Sequence, residues 1–217
     1  MLRLSFRGAT AVPGPAELAN LQSTFRSSAC VMLPHFLAPD LLAWVQDAIR
    51  AAHLVERRHG AQGELASELA LPPGTCLGLL AFLANDPRVL RFVEAITGRA
   101  PLTRFAGRVY SRIPGTHFDS WHDDLNRDRK IGMSVNLSTD VYEGGEFEIR
   151  DRESTRMLGT LANVGFGDAI LFDLSDALEH RVAPLTGTAH KTAYAGWFGD
   201  TLDYNRELRD DPAQKEP

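Results

Sequence analysis

The stretch GDAILFDLSDALEHRVAPLTGTAHKTAYAGWF, residues 167–198, has the pattern of short strands separated by turns and a polar loop. Its opening Gly-Asp pair indicates a turn, and the apolar run that follows indicates a buried strand. After a polar loop, His180 opens a second strand. Lys191 lies in a third strand, which ends at the Trp-Phe pair that closes the stretch. Strands this short are typical of an all-β sandwich or barrel.

The same pattern extends upstream to residue 104. Seven short β-rich runs are separated by Gly, Asp and Asn, which are the usual turn residues. They are RFAGRVYSRI (104–113), KIGMSVNLST (130–139), GGEFEIRD (144–151), MLGTLANV (157–164), DAILFD (168–173), HRVAPL (180–185) and KTAYAGWFG (191–199). Seven such strands predict an antiparallel β core, either a sandwich or a barrel.

Helical spacing of apolar residues occurs before this β-rich region. Residues 38–53 place apolar side chains on one helix face and carry a proline near the start, where its missing N–H is harmless. Residues 77–85 and 85–98 are also predicted helices, the second running from an Asp-Pro start signal to a closing glycine. The prolines within residues 1–28 oppose early regular structure, and the charged, glycine-containing segment 54–63 favours a loop.

These elements predict one mainly β domain with N-terminal helices packed on it. The length of 217 residues suits a single domain with a hydrophobic core. We expect a helical support region over about residues 29–100 and a β core over about residues 101–199. Residues 200–217 are charged and predict a frayed tail.

Composition and charge argue against several classes of function. The net charge of −5 gives no reason to expect nucleic acid or an anionic membrane as a partner. No apolar run approaches the roughly 18 residues that span a bilayer, and the N-terminus lacks the sustained apolar segment of a signal peptide. Cys30 and Cys76 match neither a disulfide framework nor a Cys-x-x-Cys metal motif. Two reduced thiols therefore favour a cytoplasmic location, and no feature predicts an oligomeric state.

The pattern His-x-Asp occurs twice, at His117–Asp119 and at His122–Asp124. Alone it is weak, because a chain with this many histidines and aspartates produces it by chance. A distant histidine strengthens it, since two histidines and one carboxylate form the facial triad that binds non-haem Fe(II) and leaves the opposite positions open. Side chains two residues apart on a strand point the same way, so one His-x-Asp pair supplies two ligands. His180 is the candidate for the third.

Several motifs in order resemble the Fe(II)/2-oxoglutarate-dependent dioxygenases, and within them the prolyl 4-hydroxylase-like branch. They are VMLPHFLAPDLLAWVQDAI (31–49), VYSRIPG (109–115) followed by His-x-Asp, GGEFEI (144–149), GDAILF (167–172) and the closing H-x-V-x-P-L-T…K…WF. The resemblance covers roughly residues 29–199. It implies a double-stranded β-helix, or jelly-roll, core.

The resemblance assigns the metal ligands as His122, Asp124 and His180. In this family a glycine precedes the metal histidine by several residues, and Gly115 lies seven residues before His122 but only two before His117. Asp123 is then expected to point away into solvent. His117 is expected behind the metal site or on the surface.

The same resemblance implies that a cation holds the far carboxylate of 2-oxoglutarate. His190 lies at the family's common offset of ten residues from His180, whereas Lys191 lies at eleven but keeps the family's spacing of six to Trp197. Lysine is charged at neutral pH and histidine only partly so, which favours Lys191.

Further residues are candidates for the same pocket. Tyr110 and Arg112 share one face of the strand that leads to the metal loop, and either is expected to bind the cosubstrate carboxylate. Asn136 matches a position that often lines this pocket in the family. Thr192 is a weaker candidate. Ordinary packing in the strands is the alternative interpretation for all of them.

The implied activity is hydroxylation of an unactivated C–H bond, with Fe(II), 2-oxoglutarate and O2, and with ascorbate as a supporting reductant. The leading hypothesis is an amino-acid side chain as substrate, either free or within a peptide or protein. A small natural product is the second. A non-catalytic jelly-roll protein that binds a ligand is the alternative from another class. The nucleic-acid demethylase branch is disfavoured because no arginine pair follows His180.

Overall fold

The structure is a computed structural model that describes residues 1–10, 13–60, 63–125 and 128–200. Within these ranges it contains four α-helices, all in the first half of the chain: α1 (Pro15–Ser28), α2 (Pro39–Ala51), α3 (Thr75–Ala84) and α4 (Pro87–Thr97). None of the helices in the described ranges combines the length and apolar character needed to span a bilayer.

Fourteen strands lie in the same described ranges, most of them after residue 100. They are β1 (Arg3–Ser5), β2 (Gly8–Thr10), β3 (Cys30–Leu33), β4 (Val55–His59), β5 (Ala66–Ala70), β6 (Arg104–Arg112), β7 (Arg129–Asn136), β8 (Glu143–Gly144), β9 (Phe147–Asp151), β10 (Met157–Leu161), β11 (Ala169–Asp173), β12 (Leu178–Val182), β13 (Leu185–Thr186) and β14 (Lys191–Gly199). The predicted mainly β chain with N-terminal helices is confirmed.

Most strands belong to two antiparallel sheets. The large sheet has the order β3-β11-β7-β14-β6-β5-β4, and the smaller one has the order β10-β9-β12. A short pair, β13-β8, and an N-terminal hairpin, β1-β2, complete the pairing. Strand neighbours that are distant in sequence, such as β14 between β6 and β7, make the fold depend on long-range pairing.

The two faces of the large sheet have different partners. On β14, Tyr194 and Phe198 belong to the main hydrophobic core, which also contains the buried faces of the helices. Trp197 packs with the second hydrophobic cluster, which includes Phe147 and Phe172. Because side chains alternate along a strand, one strand serves both the helix-covered core and the opposite face, on which the functional site lies.

Three of the helices agree with the sequence prediction. In α4, the side chain of Asp86 caps the helix by accepting a hydrogen bond from the backbone N–H of Arg88 at 2.9 Å. Gly98 ends this helix with a φ of 71°, a conformation that glycine adopts without strain.

Two predictions about the N-terminal region are wrong. Residues 1–28 contain a hairpin and α1, because Pro15 occupies the first helical turn, where proline is compatible with the helix. The segment 54–63, predicted as a loop, contains β4, which pairs with β5. The charged residues of this segment gave no strand pattern, although β4 is an edge strand of the large sheet. The predicted tail lies outside the described residues from 201 onward.

A glycine in β7 allows a phenylalanine ring to reach the functional site. A β-carbon on Gly132 would overlap the ring of Phe172, and that ring lies 4.6 Å from the ring of His180. We expect Gly132→Ala to lower the free energy of unfolding by about 1–3 kcal/mol, measured by urea unfolding, because the added methyl group overpacks this contact.

The matched control is Gly78→Ala, at an exposed position within α3 where nothing lies within 4 Å of the added carbon. This change should raise the free energy of unfolding by about 0.5–1 kcal/mol, because alanine is the better helix former. A Gly132→Ala protein as stable as the wild type would contradict the packing described.

Candidate metal centre

Two histidines distant in sequence are held side by side by the backbone. The N–H of His122 donates to the carbonyl of His180 at 3.1 Å, and the N–H of His180 donates to the carbonyl of His122 at 2.8 Å. This antiparallel bridge joins the loop after β6 to β12. The two imidazole rings consequently lie 4.4 Å apart, centre to centre.

Asp124 completes a group of three potential ligands. Its Oδ2 lies 3.5 Å from Nε2 of His122 and 3.3 Å from Nε2 of His180. One ligand atom from each of the three residues falls within 4.8 Å of the others. Two atoms that each bind one ion at about 2.1 Å are separated by at most about 4.2 Å, so the two measured distances are compatible with a shared metal ion.

The imidazole of His122 is oriented for coordination. Its Nδ1 lies 2.7 Å from the carbonyl oxygen of Ser120, which accepts a hydrogen bond from the N–H at that nitrogen. The Nε2 lone pair then faces Asp124 and His180. A hydrogen bond that fixes the tautomer in this way is the usual arrangement for a metal-binding histidine.

Asp124 is constrained by its backbone and its neighbours. Its φ is 53°, in the left-handed region that aspartate tolerates better than most residues. The indole Nε1 of Trp197 donates to Oδ2 at 2.9 Å, and Arg129 donates to the backbone carbonyl at 3.2 Å. The carboxylate is therefore held from the side of β14 as well as by the histidines.

The protonation states of His122 and Asp124 depend on each other. Burial alone would lower the pKa of His122, but the hydrogen bond and charge of Asp124 and the charge of Asp119 raise it to about 9. Burial would raise the pKa of Asp124, yet hydrogen bonds from His122 and His180 hold it well below its usual range. Without a metal ion, protonated His122 balances the ionised carboxylate, and a divalent metal ion that binds here would replace that proton.

The three residues line a cavity of about 480 Å³, within the usual size range of small-molecule sites. Phe147 and Phe172 form an apolar wall against His180, with Phe172 centred 4.6 Å from the imidazole ring. The hairpin β4–β5 forms another wall. The cavity therefore combines an apolar side, suited to exclude water, with a polar side.

The polar side is a buried network of charges centred on Glu68 of β5. Its Oε1 accepts from Nε of Arg108 at 2.7 Å and lies 3.1 Å from Nε2 of His59. A guanidinium nitrogen of Arg112 lies 3.9 Å from its Oε2 and another lies 3.0 Å from Asp119. Burial would raise the pKa of Glu68, but these cationic neighbours lower it to about 2.

The residues predicted for the cosubstrate lie at different depths. Tyr110 and Arg112 line the cavity, with the guanidinium 4.9 Å from the tyrosine ring. Asn136 and Thr192 are not among the cavity-lining residues described. The Asn136 amide donates to the carbonyl of Gly165 and accepts from the N–H of Ser138, which ties it to neighbouring loops.

Lys191 is buried at the start of β14, with 3% of its surface exposed, whereas the neighbouring His190 is exposed. Its Nζ donates to the carbonyl of Gly145 and lies 5.2 Å from the centre of the Tyr142 ring. Burial, followed by repulsion from Arg112, lowers the pKa of Lys191 to about 7. An amine that is about half protonated near pH 7 is therefore buried in the β core at Lys191, whereas His190 is exposed.

The first His-x-Asp pair has other partners. Nδ1 of His117 accepts a hydrogen bond from the backbone N–H of Ile113 at 2.9 Å, and the side chain takes no part in the three-residue group. Asp119 accepts from the N–H of Val182 at 2.8 Å and borders the cavity beside Arg112. Asp123 forms an ion pair with Arg152, away from the group.

Sequence reasoning missed four charged residues of the cavity wall: Arg57, Glu68, Arg108 and Arg129. Asp119 was considered only as part of the first His-x-Asp pair. One signal was available, because Arg108 precedes Tyr110 by two residues and so shares its face of β6. Glu68 carried no comparable signal, since its strand was not predicted.

The indole hydrogen bond to Asp124 predicts an effect on metal affinity. In Trp197→Phe the ring remains but the N–H donor is lost, so the dissociation constant for Mn(II) should rise about 10- to 100-fold, as expected when a hydrogen bond to a ligand is removed. Titration calorimetry on metal-free protein measures this constant. Trp44→Phe, at a surface tryptophan packed edge-on against Phe6, is the control and should bind Mn(II) like the wild type. Equal affinity in both variants would show that the indole does not orient the carboxylate.

Comparison with solved structures shows the same fold in proteins of low sequence identity. An oxidoreductase of the 2OG-Fe(II) oxygenase family from Burkholderia pseudomallei is 18% identical, with a TM-score of 0.67 over 91% of this chain and 95% of that one. A prolyl hydroxylase from Trichoplax adhaerens, in complex with a hypoxia inducible factor peptide fragment, is 14% identical, with a TM-score of 0.61 over 91% and 97%. The epimerase SnoN from nogalamycin biosynthesis is 18% identical, with a TM-score of 0.62 over 86% and 84%.

These neighbours confirm the predicted jelly-roll core and the resemblance of its fold to prolyl hydroxylases. A search of curated protein sequences found no significant match. The family model of the 2OG-Fe(II) oxygenase superfamily, however, matches residues 108–199. This segment contains His122, Asp124 and His180, grouped as the geometry above describes. The β core, over residues 108–199, is therefore similar to the 2OG-Fe(II) oxygenase superfamily, the Fe(II)- and 2-oxoglutarate-dependent dioxygenases.

Proposed function

We propose that this protein hydroxylates an unactivated C–H bond of a small molecule or of an amino-acid side chain, free or in a peptide. The observation that carries the proposal is the group of His122, Asp124 and His180 at the wall of a cavity that can hold both a cosubstrate and a small substrate. As metal ligands, these three would provide the two-histidine, one-carboxylate set that non-haem Fe(II) takes.

The residue types and their orientation fit Fe(II). Imidazole and carboxylate are the ligands of this metal in the two-histidine, one-carboxylate arrangement. When bound together, Fe(II), 2-oxoglutarate and O2 supply the oxidising chemistry, and 2-oxoglutarate is converted into succinate and CO2. The protein orients the ligands through the Ser120 carbonyl and the Trp197 indole, and it excludes water with Phe147 and Phe172.

Two cations on neighbouring strands support a cosubstrate site deeper in the β core. Lys191 of β14 pairs in register with Arg112 of β6, and the two buried positive charges repel each other. Like charges placed opposite each other destabilise the folded protein. An anion bound near them reduces this repulsion. We assign the far carboxylate of 2-oxoglutarate to Lys191 and Arg112, with Tyr110 beside them. We propose that Asn136 supports this site indirectly, because its amide forms hydrogen bonds with the neighbouring loops.

Along β14 the side chains between the two sites are small. Ala193 and Ala195 share a face with Lys191 and Trp197, because residues two apart point the same way. Ala195 borders the cavity directly. Ala193 and Lys191 are not among the described residues that line the cavity, and the small side chains on this face are compatible with our placement of an extended dicarboxylate between the metal centre and Lys191.

The substrate hypotheses are supported by different neighbours. A peptide-bound prolyl hydroxylase shares the fold, which supports an amino-acid side chain. An epimerase of natural-product biosynthesis also shares it, which supports a small natural product as the second candidate. We expect the protein to act in the cytoplasm, without nucleic acid or membrane as a partner, and to be supported by ascorbate.

Turnover of 2-oxoglutarate tests the proposal. With Fe(II), ascorbate and O2, the wild type should form succinate slowly without substrate and faster with one, followed by mass spectrometry. Asp124→Ala and His180→Ala should lower this rate at least 100-fold, because each removes a metal ligand. His117→Ala is the matched control and should keep most of the rate. Full activity in the first two variants, with loss in the third, would contradict the assigned triad.

Lys191 generates a separate prediction, on cosubstrate affinity and on stability. In Lys191→Met the dissociation constant for 2-oxoglutarate should rise at least tenfold, because the buried cation is lost. The same change should stabilise the protein. The folded pKa of about 7 lies below the ordinary 10.5, so burying the charged amine costs free energy that grows as the pH falls from 10.5 to 7 and is constant below. Arg112 adds to this cost, and Asp119 and Glu146 reduce it.

Urea unfolding at several pH values measures the second effect. The stability difference between Lys191→Met and the wild type should grow by up to about 1.4 kcal/mol for each pH unit lowered within that window. Lys130→Met is the control, since Lys130 lies near the surface and forms an ion pair with Asp200 at 3.2 Å. A difference independent of pH, or unchanged cosubstrate affinity, would argue against a functional charge at Lys191.

A further inference from the structure

Two arginines and a tryptophan from three neighbouring strands form a row on the cavity wall. Trp197 of β14 lies between Arg129 of β7 and Arg108 of β6 in the order of the sheet. The guanidinium carbon of Arg129 lies 3.6 Å from the centre of the indole ring, and that of Arg108 lies 5.6 Å away. All three residues border the cavity. We call them the arginine row.

The arginine row adjoins the metal centre and is remote from Lys191. The indole of Trp197 donates to Asp124, so the row begins beside a metal ligand. Lys191 precedes Trp197 by six residues on the same strand, which corresponds to about 20 Å between their backbones. A cosubstrate carboxylate held at Lys191 therefore leaves the arginine row available to a second ligand.

Positive charge exceeds negative charge on this wall. Among the described residues that line the cavity are four arginines, Arg57, Arg108, Arg112 and Arg129, and three carboxylates, Glu68, Asp119 and Asp124. A divalent metal ion and the dianion of 2-oxoglutarate cancel each other's charge. With both bound, the described lining residues therefore still include one more positive than negative side chain, before any contribution from Lys191.

The guanidinium of Arg108 is fixed rather than mobile. Its Nε donates to Glu68 at 2.7 Å, and Nη2 lies 3.3 Å from the imidazole of His59. Both partners come from the hairpin β4–β5, which covers this side of the cavity. The charge of Arg108 also lowers the pKa of Arg57, after the larger effect of burial, which shows that like charges lie close together here. Such crowding is relieved when an anion binds.

We propose that the substrate carries a carboxylate, which the arginine row binds so that a neighbouring C–H bond faces the metal centre. This inference rests on the proposed function, because it places 2-oxoglutarate at Lys191. A guanidinium presents parallel N–H donors that match the two oxygens of a carboxylate. The indole face adds a flat apolar surface for the carbon skeleton. The substrate class is therefore a small carboxylic acid with an apolar portion.

Matched probe pairs test the inference without knowledge of the natural substrate. Anaerobic protein loaded with Fe(II) and 2-oxoglutarate is titrated by calorimetry with benzoate and benzamide, and with hexanoate and hexanamide. Each carboxylate should bind at least tenfold more tightly than its uncharged amide, and its affinity should fall as salt is added. Equal binding within both pairs, or no binding of either carboxylate, would overturn the inference.

Variants locate the binding site. The double change Glu68→Gln with Arg108→Gln removes a charge pair together and so avoids leaving one buried charge uncompensated. It should abolish the preference for carboxylates, as should Arg129→Gln, which leaves the buried pair intact. Arg150→Gln is the matched control, since Arg150 also stacks on a tryptophan, 4.0 Å from the Trp121 ring, but outside the cavity. Equal loss in the control would overturn the assignment to the arginine row.

A further titration separates this inference from the proposed function. If Fe(II) and 2-oxoglutarate do not bind together, the proposed function fails. The probe pairs are then compared on metal-free Lys191→Met protein, in which the deep cation is absent. A carboxylate preference that persists there and disappears with Arg129→Gln supports the arginine row by itself, and its absence overturns it.

Discussion

The carboxylate of Asp124 is the group on which the arrangement of the site depends. Its oxygens lie beside two histidines and an indole N–H, an arginine donates to the Asp124 backbone carbonyl, and the residue has a left-handed backbone conformation. A buried carboxylate is tolerated only when its charge is compensated and its oxygens are hydrogen-bonded. The β core satisfies this requirement by bringing together the loop after β6, β12 and β14. The metal centre is thus a consequence of strand pairing between distant parts of the sequence.

Small residues on the neighbouring strands leave space for the side chains that form the site. Gly132 leaves space for the Phe172 ring, which packs against His180, and Ala195 of β14 borders the cavity with a small side chain. The same strand carries Trp197 at one end and Lys191 at the other, so one element fixes both the carboxylate ligand and the proposed cosubstrate cation. The hairpin β4–β5 then closes the side of the cavity with a charged wall.

Much of this architecture follows from local sequence patterns. The β-rich runs after residue 104 and the helices α2 to α4 have clear periodicity and turn signals, and they form as predicted. The grouping of His122, Asp124 and His180 agrees with the assignment that the family resemblance implied, and we propose that the three are metal ligands. Helix α1 was missed because proline was treated as an interruption when it marks a start.

The charged wall of the cavity, which the hairpin β4–β5 forms, was harder to predict from the sequence. Strand β4 consists mainly of charged residues, so its pairing with β5 depends on a neighbour rather than on an apolar pattern of its own. The role of Glu68 in the cavity wall is apparent only from its contacts with Arg108, 40 residues later, and with Arg112. Long-range ion pairs of this kind leave no periodic signal in the sequence. In our proposal, this charged wall determines the substrate preference of the protein.

The central claim is that this cavity holds Fe(II) and 2-oxoglutarate together. Anaerobic titration of the metal-free protein with both, followed by visible absorption, tests it most directly. The account predicts the weak charge-transfer band of an Fe(II)–2-oxo acid chelate, present in the wild type and absent in Asp124→Ala. A folded, metal-free wild-type protein that develops no such band would contradict the account and leave a jelly-roll protein that binds some other ligand.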